Sequence, residues 1–164
     1  MSSTLSSWGR YPRAPQTSNA CSWQSELPAL RDAVIQAHGS TLPYGNGRSY
    51  GDSCLATSDQ VLHMHTLDRF IQTDWQNGVI QVEAGISLAQ ILAVIIARGF
   101  FLPVTPGTQF ATVGGAIAND VHGKNHHVRG TFGRHVLRFG LLRNGHEVIV
   151  CSPDENADLF AATI

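Results

Sequence analysis

No stretch of this sequence stays apolar for long. The longest run, Ile91 to Ala97, is far short of the roughly 20 residues needed to cross a bilayer as a helix, so no transmembrane segment is expected. Cysteine is scarce as well: Cys21, Cys54 and Cys151 are scattered, with no CxxC spacing. An odd, dispersed set argues against a disulfide framework and fits a reducing compartment, so the cytoplasm is the expected location. The N-terminus, Met1 to Gln16, is polar and lacks the apolar segment of a secretory signal. Charge of either sign is not in excess: 11 basic and 12 acidic residues leave a net charge of -1. Nothing in that balance attracts nucleic acid or an anionic membrane. Any anion bound by this chain must be held by local geometry.

What remains is a chain of 164 residues with 43% hydrophobic content, enough for one ordinary folded domain with a core. Residues 1–22 are rich in Ser, Pro and Gly and read as a loosely held N-terminal arm, with Trp8 as its one large apolar anchor. Glu26 to His38 predicts a helix, with Ser25 as cap, Pro28 in the first turn, Leu27, Leu30, Val34 and Ala37 at helical spacing, and Gly39 as its end. Short strands are expected at Ser40–Leu42, Val61–Met64 and Phe70–Thr73, and Asn77-Gly78 signals a hairpin returning through Val79–Ala84. Ser87, followed three residues on by Gln90, opens a helix whose buried stripe is Leu88, Ile91, Leu92, Ile95 and Ile96, ending at Gly99. Phe100–Leu102 reads as a strand and Thr112–Ala118 as a short helix. Val136–Arg143 and His146–Cys151 are expected to form a hairpin about Asn144-Gly145, and a last helix is expected near Glu155–Ala162. This mixed order indicates an α+β or α/β protein without repeats. The final helix carries no cap or Gly, so the chain is expected to be truncated there.

Three segments could carry chemistry. Pro43-Tyr44-Gly45-Asn46-Gly47-Arg48-Ser49-Tyr50-Gly51-Asp52 has three glycines in seven residues, which permits positive φ and close approach of backbone to a ligand. Successive N–H groups in such a turn form a concave anion site suited to a pyrophosphate. It is neither a Walker A loop nor the Rossmann fingerprint, which needs glycine at position 50. An ordinary Gly-rich connection explains the composition equally well. In the second segment, Pro106-Gly107 is a turn, and Gly114-Gly115 among small residues lets a helix N-terminus lie against a flat or phosphorylated ligand; tight helix packing is the alternative. The third is Asp120-Val121-His122-Gly123-Lys124-Asn125-His126-His127. His122 and His126 could share a helical face and ligate a metal, but Gly123 weakens a helix there and Asp120 is the only nearby carboxylate. No metal is expected; a loop of donors lining a polar cofactor, or a structural turn, suits the residues better. His63 and His65 are assigned no role.

Taken together, the Gly-Asn-Gly-Arg-Ser-Tyr-Gly-Asp loop, the later Pro-Gly-Thr and Thr-Val-Gly-Gly-Ala-Ile-Ala, and the markers Trp8-Gly9-Arg10 and His122-Gly123-Lys124-Asn125-His126-His127 closely resemble the para-cresol methylhydroxylase/vanillyl-alcohol oxidase flavoprotein superfamily. Within it the chain resembles the branch of decaprenylphosphoryl-β-D-ribose 2-oxidase-like FAD-linked oxidases; sugar-lactone and alditol oxidases are more distant.

The resemblance implies an α+β, two-lobed FAD-binding domain. Its first lobe would span 23–104, and its second, 105–164, would be incomplete. It implies that Pro43, Tyr44, Gly45, Asn46, Gly47, Arg48, Ser49, Tyr50, Gly51, Asp52 and Ser53 hold the pyrophosphate. Gly107, Thr112, Val113, Gly114, Gly115, Asn119, Asp120, Val121 and His122 would approach the diphosphate, ribityl chain and isoalloxazine. Relatives with a covalent flavin carry histidine where this sequence has Arg48. Arginine stays protonated and makes no such bond, so the FAD is expected to be non-covalent. The implied reaction oxidises a CH–OH group of a sugar or polyol, such as a lipid-linked pentose, by hydride transfer to the flavin, with an unassigned electron acceptor. The catalytic residues would lie beyond Ile164, and the chain alone would be inactive. An aldonolactone or alditol oxidase using oxygen, and a non-catalytic nucleotide-binding module, are the alternatives. With half a lobe missing, Val113, Ile117, Val136 and Leu141 are expected to lack packing partners.

Overall fold

The computed structural model describes residues 5–143, 145 and 147–164. The first four residues of the expected arm, and Asn144 and His146 of the expected hairpin, lie outside the described residues. The remainder carries seven strands and five α-helices, in a mixed α and β order.

A three-stranded parallel sheet opens the fold, in the order β1 (Thr17–Asn19), β3 (Gln60–His63), β2 (Leu42–Tyr44). Its central strand is the apolar one: Gln60, Val61 and Leu62 are buried. Pro43 can sit in β2 because that strand is an edge, where a missing N–H costs no ladder bond. β1 corrects the reading of residues 1–22 as a loose arm. Thr17, Ser18 and Asn19 pair with Gln60, Val61 and Leu62, and the Gln16 side chain bonds both the N–H and the C=O of Ala56. Leu5 is buried with Tyr44, Cys54, Ala56 and Val61 in the first of two cores. That core includes both residues that flank the loop 45–53, Tyr44 and Cys54.

Helix α1 (Leu27–His38) starts one residue later than expected. Ser25 falls in a short 3-10 turn and caps nothing; the Glu26 carboxylate instead accepts from the N–H groups of Ser22 and Trp23. Pro28 occupies the first turn, Gly39 closes the helix at φ 82°, and Val34 is its buried contact while Ala37 is exposed. The hairpin β4 (Phe70–Asp74) and β5 (Val79–Val82) forms about the expected Asn77-Gly78 turn, where the Asp74 carboxylate accepts from the N–H groups of Gln76 and Asn77. These bonds, led by the Asn77 side chain, hold the Asp74 carboxyl below its ordinary range.

Helix α2 (Leu88–Ile95) carries the expected capping box: Ser87 Oγ accepts from Gln90 N at 3.3 Å, and Ser87 N donates to Gln90 Oε1 at 2.9 Å. Its buried face is Leu88, Ile91 and Ile95; Ile96, expected in the stripe, is 55% exposed. Ile86, Ile91 and Ile95 form the second core, packed by Phe70, Trp75, Ile80, Val82, Leu92, Phe100, Leu102 and Val113. Phe100–Leu102 forms no strand; Phe100 and Leu102 face this core from an extended loop. Since Ser87 satisfies an otherwise orphaned amide, Ser87→Ala is expected to cost about 1 kcal/mol, read as a lower urea midpoint with an unchanged slope.

Three further elements follow: α3 (Val113–Ala118), the short α4 (His126–Arg129), and the antiparallel pair β6 (Phe139–Leu142) and β7 (Val148–Cys151). Helix α5 (Ala157–Thr163) packs on that pair through Phe160, whose ring stacks 5.2 Å from Phe139. Val113, expected to lack partners, packs on the second core instead. Ile117, Val136 and Leu141 are each half-buried.

Candidate functional site

The two glycine-bearing turns meet. Gly45 lies so close to Thr112 that a Cβ at that position would stand 2.5 Å from Thr112 Oγ1 and 3.1 Å from its Cγ2. One residue on, the Asn46 amide donates to the Phe110 carbonyl at 3.0 Å. Sequence segments some sixty residues apart are thereby clamped at adjacent points, with β2 positioning one and the cap of α3 the other.

Gly47 is required by its surroundings twice over. Its φ is +60°, and a Cβ there would overlap both the Ser6 carbonyl oxygen and the Tyr44 hydroxyl. Tyr44, 5% exposed, donates its phenolic proton to Ser6 O at 2.7 Å and accepts from Ser6 N at 3.2 Å. Burial pushes the Tyr44 phenol up, against the lowering effect of the Ser6 N–H, so it remains protonated and able to donate. The arm continues over the loop: Trp8 N donates to Ser49 O at 3.0 Å. Arg10 N bonds Ser7 O, closing a turn in which Arg10 has φ 55°. Arg48, exposed, has its guanidinium 5.8 Å from the Trp8 ring centroid and 5.7 Å from that of Phe110. Both distances fall within reach of cation–π attraction.

Between these parts lies an open cleft of about 860 Å³, lined by Ser6, Ser7, Trp8, Arg10, Arg48 and Pro106 to Phe110. A smaller pocket of about 230 Å³ adjoins the same loop, lined by Leu5, Ser6, Tyr44, Gly45, Asn46, Arg48, His63 and His65. Neither lining contains a carboxylate, although acidic residues slightly outnumber basic ones in the chain. The main-chain N–H groups of Asn46, Gly47 and Arg48 have no hydrogen-bond partner among the described residues. Donors and positive charge are thus concentrated where the two loops join. Ser49, Tyr50, Gly51, Asp52 and Ser53 carry the loop back toward buried Cys54: Tyr50 is 82% exposed, Ser53 Oγ donates to Tyr50 O at 2.8 Å, and Leu55 N bonds Asp52 O. Burial raises the Cys54 thiol, leaving it protonated and a poor nucleophile.

The start of α3 is differently arranged from the sequence expectation. Thr112, 4% exposed, caps it by accepting from Gly115 N at 3.2 Å. Val113 N donates to Ile86 O and Gly114 N to Ala84 O, each at 2.8 Å. All three amides are occupied within the chain, so they are not free donors for a phosphate. Glycine at 114 serves proximity: a Cβ there would come within 3.1 Å of Ala84 Cβ and Ala84 O.

Asn119, Asp120, Val121 and His122 form a second group beyond α3. Asn119 bonds Gly115 O, Val121 N bonds Ala116 O, and Asp120, at φ 36°, accepts from Gly133 N at 2.8 Å. His122 forms an isolated bridge with Thr131, and its ring lies 5.2 Å from that of His126. The two do not share a helix, because α4 begins at His126 and Gly123 turns against Thr105 O, where a Cβ would stand 2.5 Å away. Among the described residues no three His, Cys, Asp or Glu side chains are grouped as metal ligands.

Sequence reasoning missed Ser6, Arg10 and Phe110, which line the cleft, and His63 and His65, which line the pocket. Trp8-Gly9-Arg10 was visible as a motif, but its contact with the loop depends on tertiary packing. His63 and His65 gave no signal beyond alternation near a strand end.

A family model described as an FAD binding domain matches residues 24–152. The chain is 37% identical to decaprenylphosphoryl-beta-D-ribose oxidase of Mycolicibacterium smegmatis, covering 98% of this chain and 35% of that protein. It is 31% identical to mouse L-gulonolactone oxidase over 72% of this chain and 26% of that protein. It is 28% identical to a putative D-arabinono-1,4-lactone oxidase of Neurospora crassa over 85% of this chain and 25% of that protein. The chain therefore spans between a quarter and about a third of the length of these relatives.

Proposed function

Because this chain belongs to the FAD binding domain family and takes FAD as its cofactor, we propose that it supplies the cofactor-holding part of an oxidoreductase acting on a CH–OH group of a sugar or polyol. The observation carrying this reading is the junction of the two glycine turns, with Gly45 against Thr112 and the Asn46 amide on Phe110. N–H groups at Asn46, Gly47 and Arg48 with no partner among the described residues, beside a cleft of about 860 Å³ whose lining has no carboxylate, fit a diphosphate and the groups attached to it. Held there, FAD would supply two-electron redox chemistry toward a CH–OH group.

The chain's own contribution is to bind and orient. Tyr44 fixes Ser6 over the loop, Trp8 and Phe110 hold the Arg48 guanidinium between them, and Arg48 offers a fixed charge to a phosphate oxygen. Val113 to Gly115 contribute a small, closely packed surface that a flat ring can approach, their amides being engaged elsewhere. We assign Asn119 to His122 to the flavin end of the same site. The division into a lobe at 23–104 and another at 105–164, joined by the Val113–Ile86 and Gly114–Ala84 bonds, belongs to the same proposal, as does a cytoplasmic location. No helix among the described residues is long and apolar enough to cross a membrane.

The substrate class rests on the relatives, which are named for a ribose derivative and two sugar lactones. Attachment is proposed to be non-covalent, since Arg48 cannot bond the flavin and the buried Cys54 thiol is held protonated. The test is acid precipitation of the purified yellow protein. Colour in the supernatant is expected. Colour in the pellet would refute non-covalent attachment, and a protein that never takes up FAD would refute the reading as a whole.

A further inference from the structure

The pocket beside the glycine loop has a chemistry of its own. His63 ends β3 and His65 follows it in a short 3-10 turn; their ring centroids are 6.2 Å apart and inclined by 31°. Both line the pocket of about 230 Å³ with Asn46 and Arg48. Two imidazoles, a guanidinium and a carboxamide are all able to donate, and no lining residue is acidic. Leu5 and the Tyr44 ring close the remainder. His63 is also held in place: its ring meets Tyr44 edge-on at 5.6 Å, and its Nδ1 lies 3.3 Å from Ser18 Oγ on β1.

We propose that His63, His65 and Arg48, with the Asn46 carboxamide, form an oxyanion site for a phosphoryl group adjoining the cofactor loop. Arg48 lines both the pocket and the cleft, so the site extends the proposed cofactor reading; a phosphoryl group here is either part of the cofactor or a separate ligand.

The charged and titratable groups around His63 are His65, Arg48 and the protonated Tyr44, with neutral Ser18 on the β1 side. Burial first, and the neighbouring His65 second, lower the His63 pKa below its ordinary 6.5. A His whose folded pKa lies below its unfolded one contributes stability that is present above the unfolded value and lost as pH falls through the folded one. A bound dianion reverses this by favouring the protonated ring, so anion affinity rises as pH falls. One added charge a few ångströms from a dianion, screened as in bulk water because the pocket is open, corresponds to about tenfold or more in affinity.

Sulfate is the suitable probe because its charge is constant across this range. In protein labelled with ¹⁵N-histidine, sulfate at constant ionic strength is expected to raise the titration midpoint of His63 and to displace the imidazole signals of both His63 and His65. Its affinity should be about tenfold higher at pH 5.5 than at pH 7.5. His63→Gln and His65→Gln should each flatten that dependence. Imidazole signals in the wild-type protein that ignore sulfate at both pH values would overturn the proposal, with no variant required. Loading with FAD identifies the source: loss of the sulfate response assigns the site to the cofactor's phosphates, while a persisting response assigns it to a separate phosphoryl ligand. A protein that responds to sulfate yet never binds FAD would remove the flavoprotein reading and leave this site standing.

Discussion

Replacement of Gly47 by alanine is expected to lower stability by roughly 3 kcal/mol and to weaken FAD binding by about a hundredfold or more. Two separate effects combine. At φ +60° a side chain costs roughly 1–2 kcal/mol from backbone sterics alone. The added methyl would also overlap Ser6 O and the Tyr44 hydroxyl, which are bonded to each other, with Tyr44 buried. To admit it, Ser6 must move away, breaking both Tyr44–Ser6 bonds and leaving a buried phenol unpaired, which costs about 1–3 kcal/mol. The amides of Asn46, Gly47 and Arg48 shift with the loop. Losing even two charge-assisted bonds to a diphosphate accounts for the hundredfold. Gly51→Ala separates the effects. Gly51 has φ +57°, but a Cβ there meets nothing within 4 Å, so it carries the backbone cost without the collision. Urea midpoints of the two variants should differ clearly; equal midpoints would show that the Ser6–Tyr44 contact is not holding the loop.

That contrast also shows what could be read in advance. The density of glycine between residues 45 and 51 was plain in the sequence, and so was its use for positive φ, but not which glycine is hemmed in by another segment. Local signals were legible because they act over three or four residues: Ser87 with Gln90 and Asn77-Gly78 both stand where expected, and the short helix expected from Thr112 begins at Val113. Long-range ones were not. β1 is three residues long, with Thr17 and Ser18 exposed, and it has no apolar alternation to betray it; it exists because β3 offers a free edge. Ser25 looked like a cap, but the Glu26 carboxylate reached the free amides of Ser22 and Trp23 first. Phe100 to Leu102 had strand composition, yet they pair with no strand among the described residues, and Phe100 and Leu102 pack on the core from a loop.

The same limit applies to the site. Gly114 and Gly115 looked like an anion-binding helix start, and the structure gives their amides to Ala84 and Thr112. The main-chain donors left open among the described residues are those of the other turn, at Asn46 to Arg48. A net charge of -1 suggested no favourable field. It is the gathering of Arg10 and Arg48 at one cleft, from separate stretches of chain, that creates a local one.

If that loop works only when the Thr112 turn supports it, Gly45→Ala should be nearly as damaging as the change at 47, by a different route. Gly45 lacks the positive φ of Gly47, so its backbone tolerates alanine; the cost arises from the new Cβ, 2.5 Å from Thr112 Oγ1. Thr112 is short, β-branched and buried, so it cannot swing aside freely. Rotating it sacrifices the bond to Gly115 N, worth about 1 kcal/mol as a helix cap, and overpacking adds roughly 1–3 kcal/mol. The expected total is about 2–3 kcal/mol, with FAD affinity falling tenfold or more as Asn46 is drawn away from Phe110. Thr112→Ala removes both offending atoms and leaves only Cβ, at an ordinary 3.4 Å. It should cost about 1 kcal/mol alone, for the lost cap. Combined with Gly45→Ala, it should cost less than the sum by about 1–2 kcal/mol, the size of coupling seen for residues in contact. Thr112→Val keeps a branched side chain in the same space and should relieve little. Strict additivity in Gly45→Ala/Thr112→Ala would mean that the two turns do not touch, and the shared diphosphate site would fall with them.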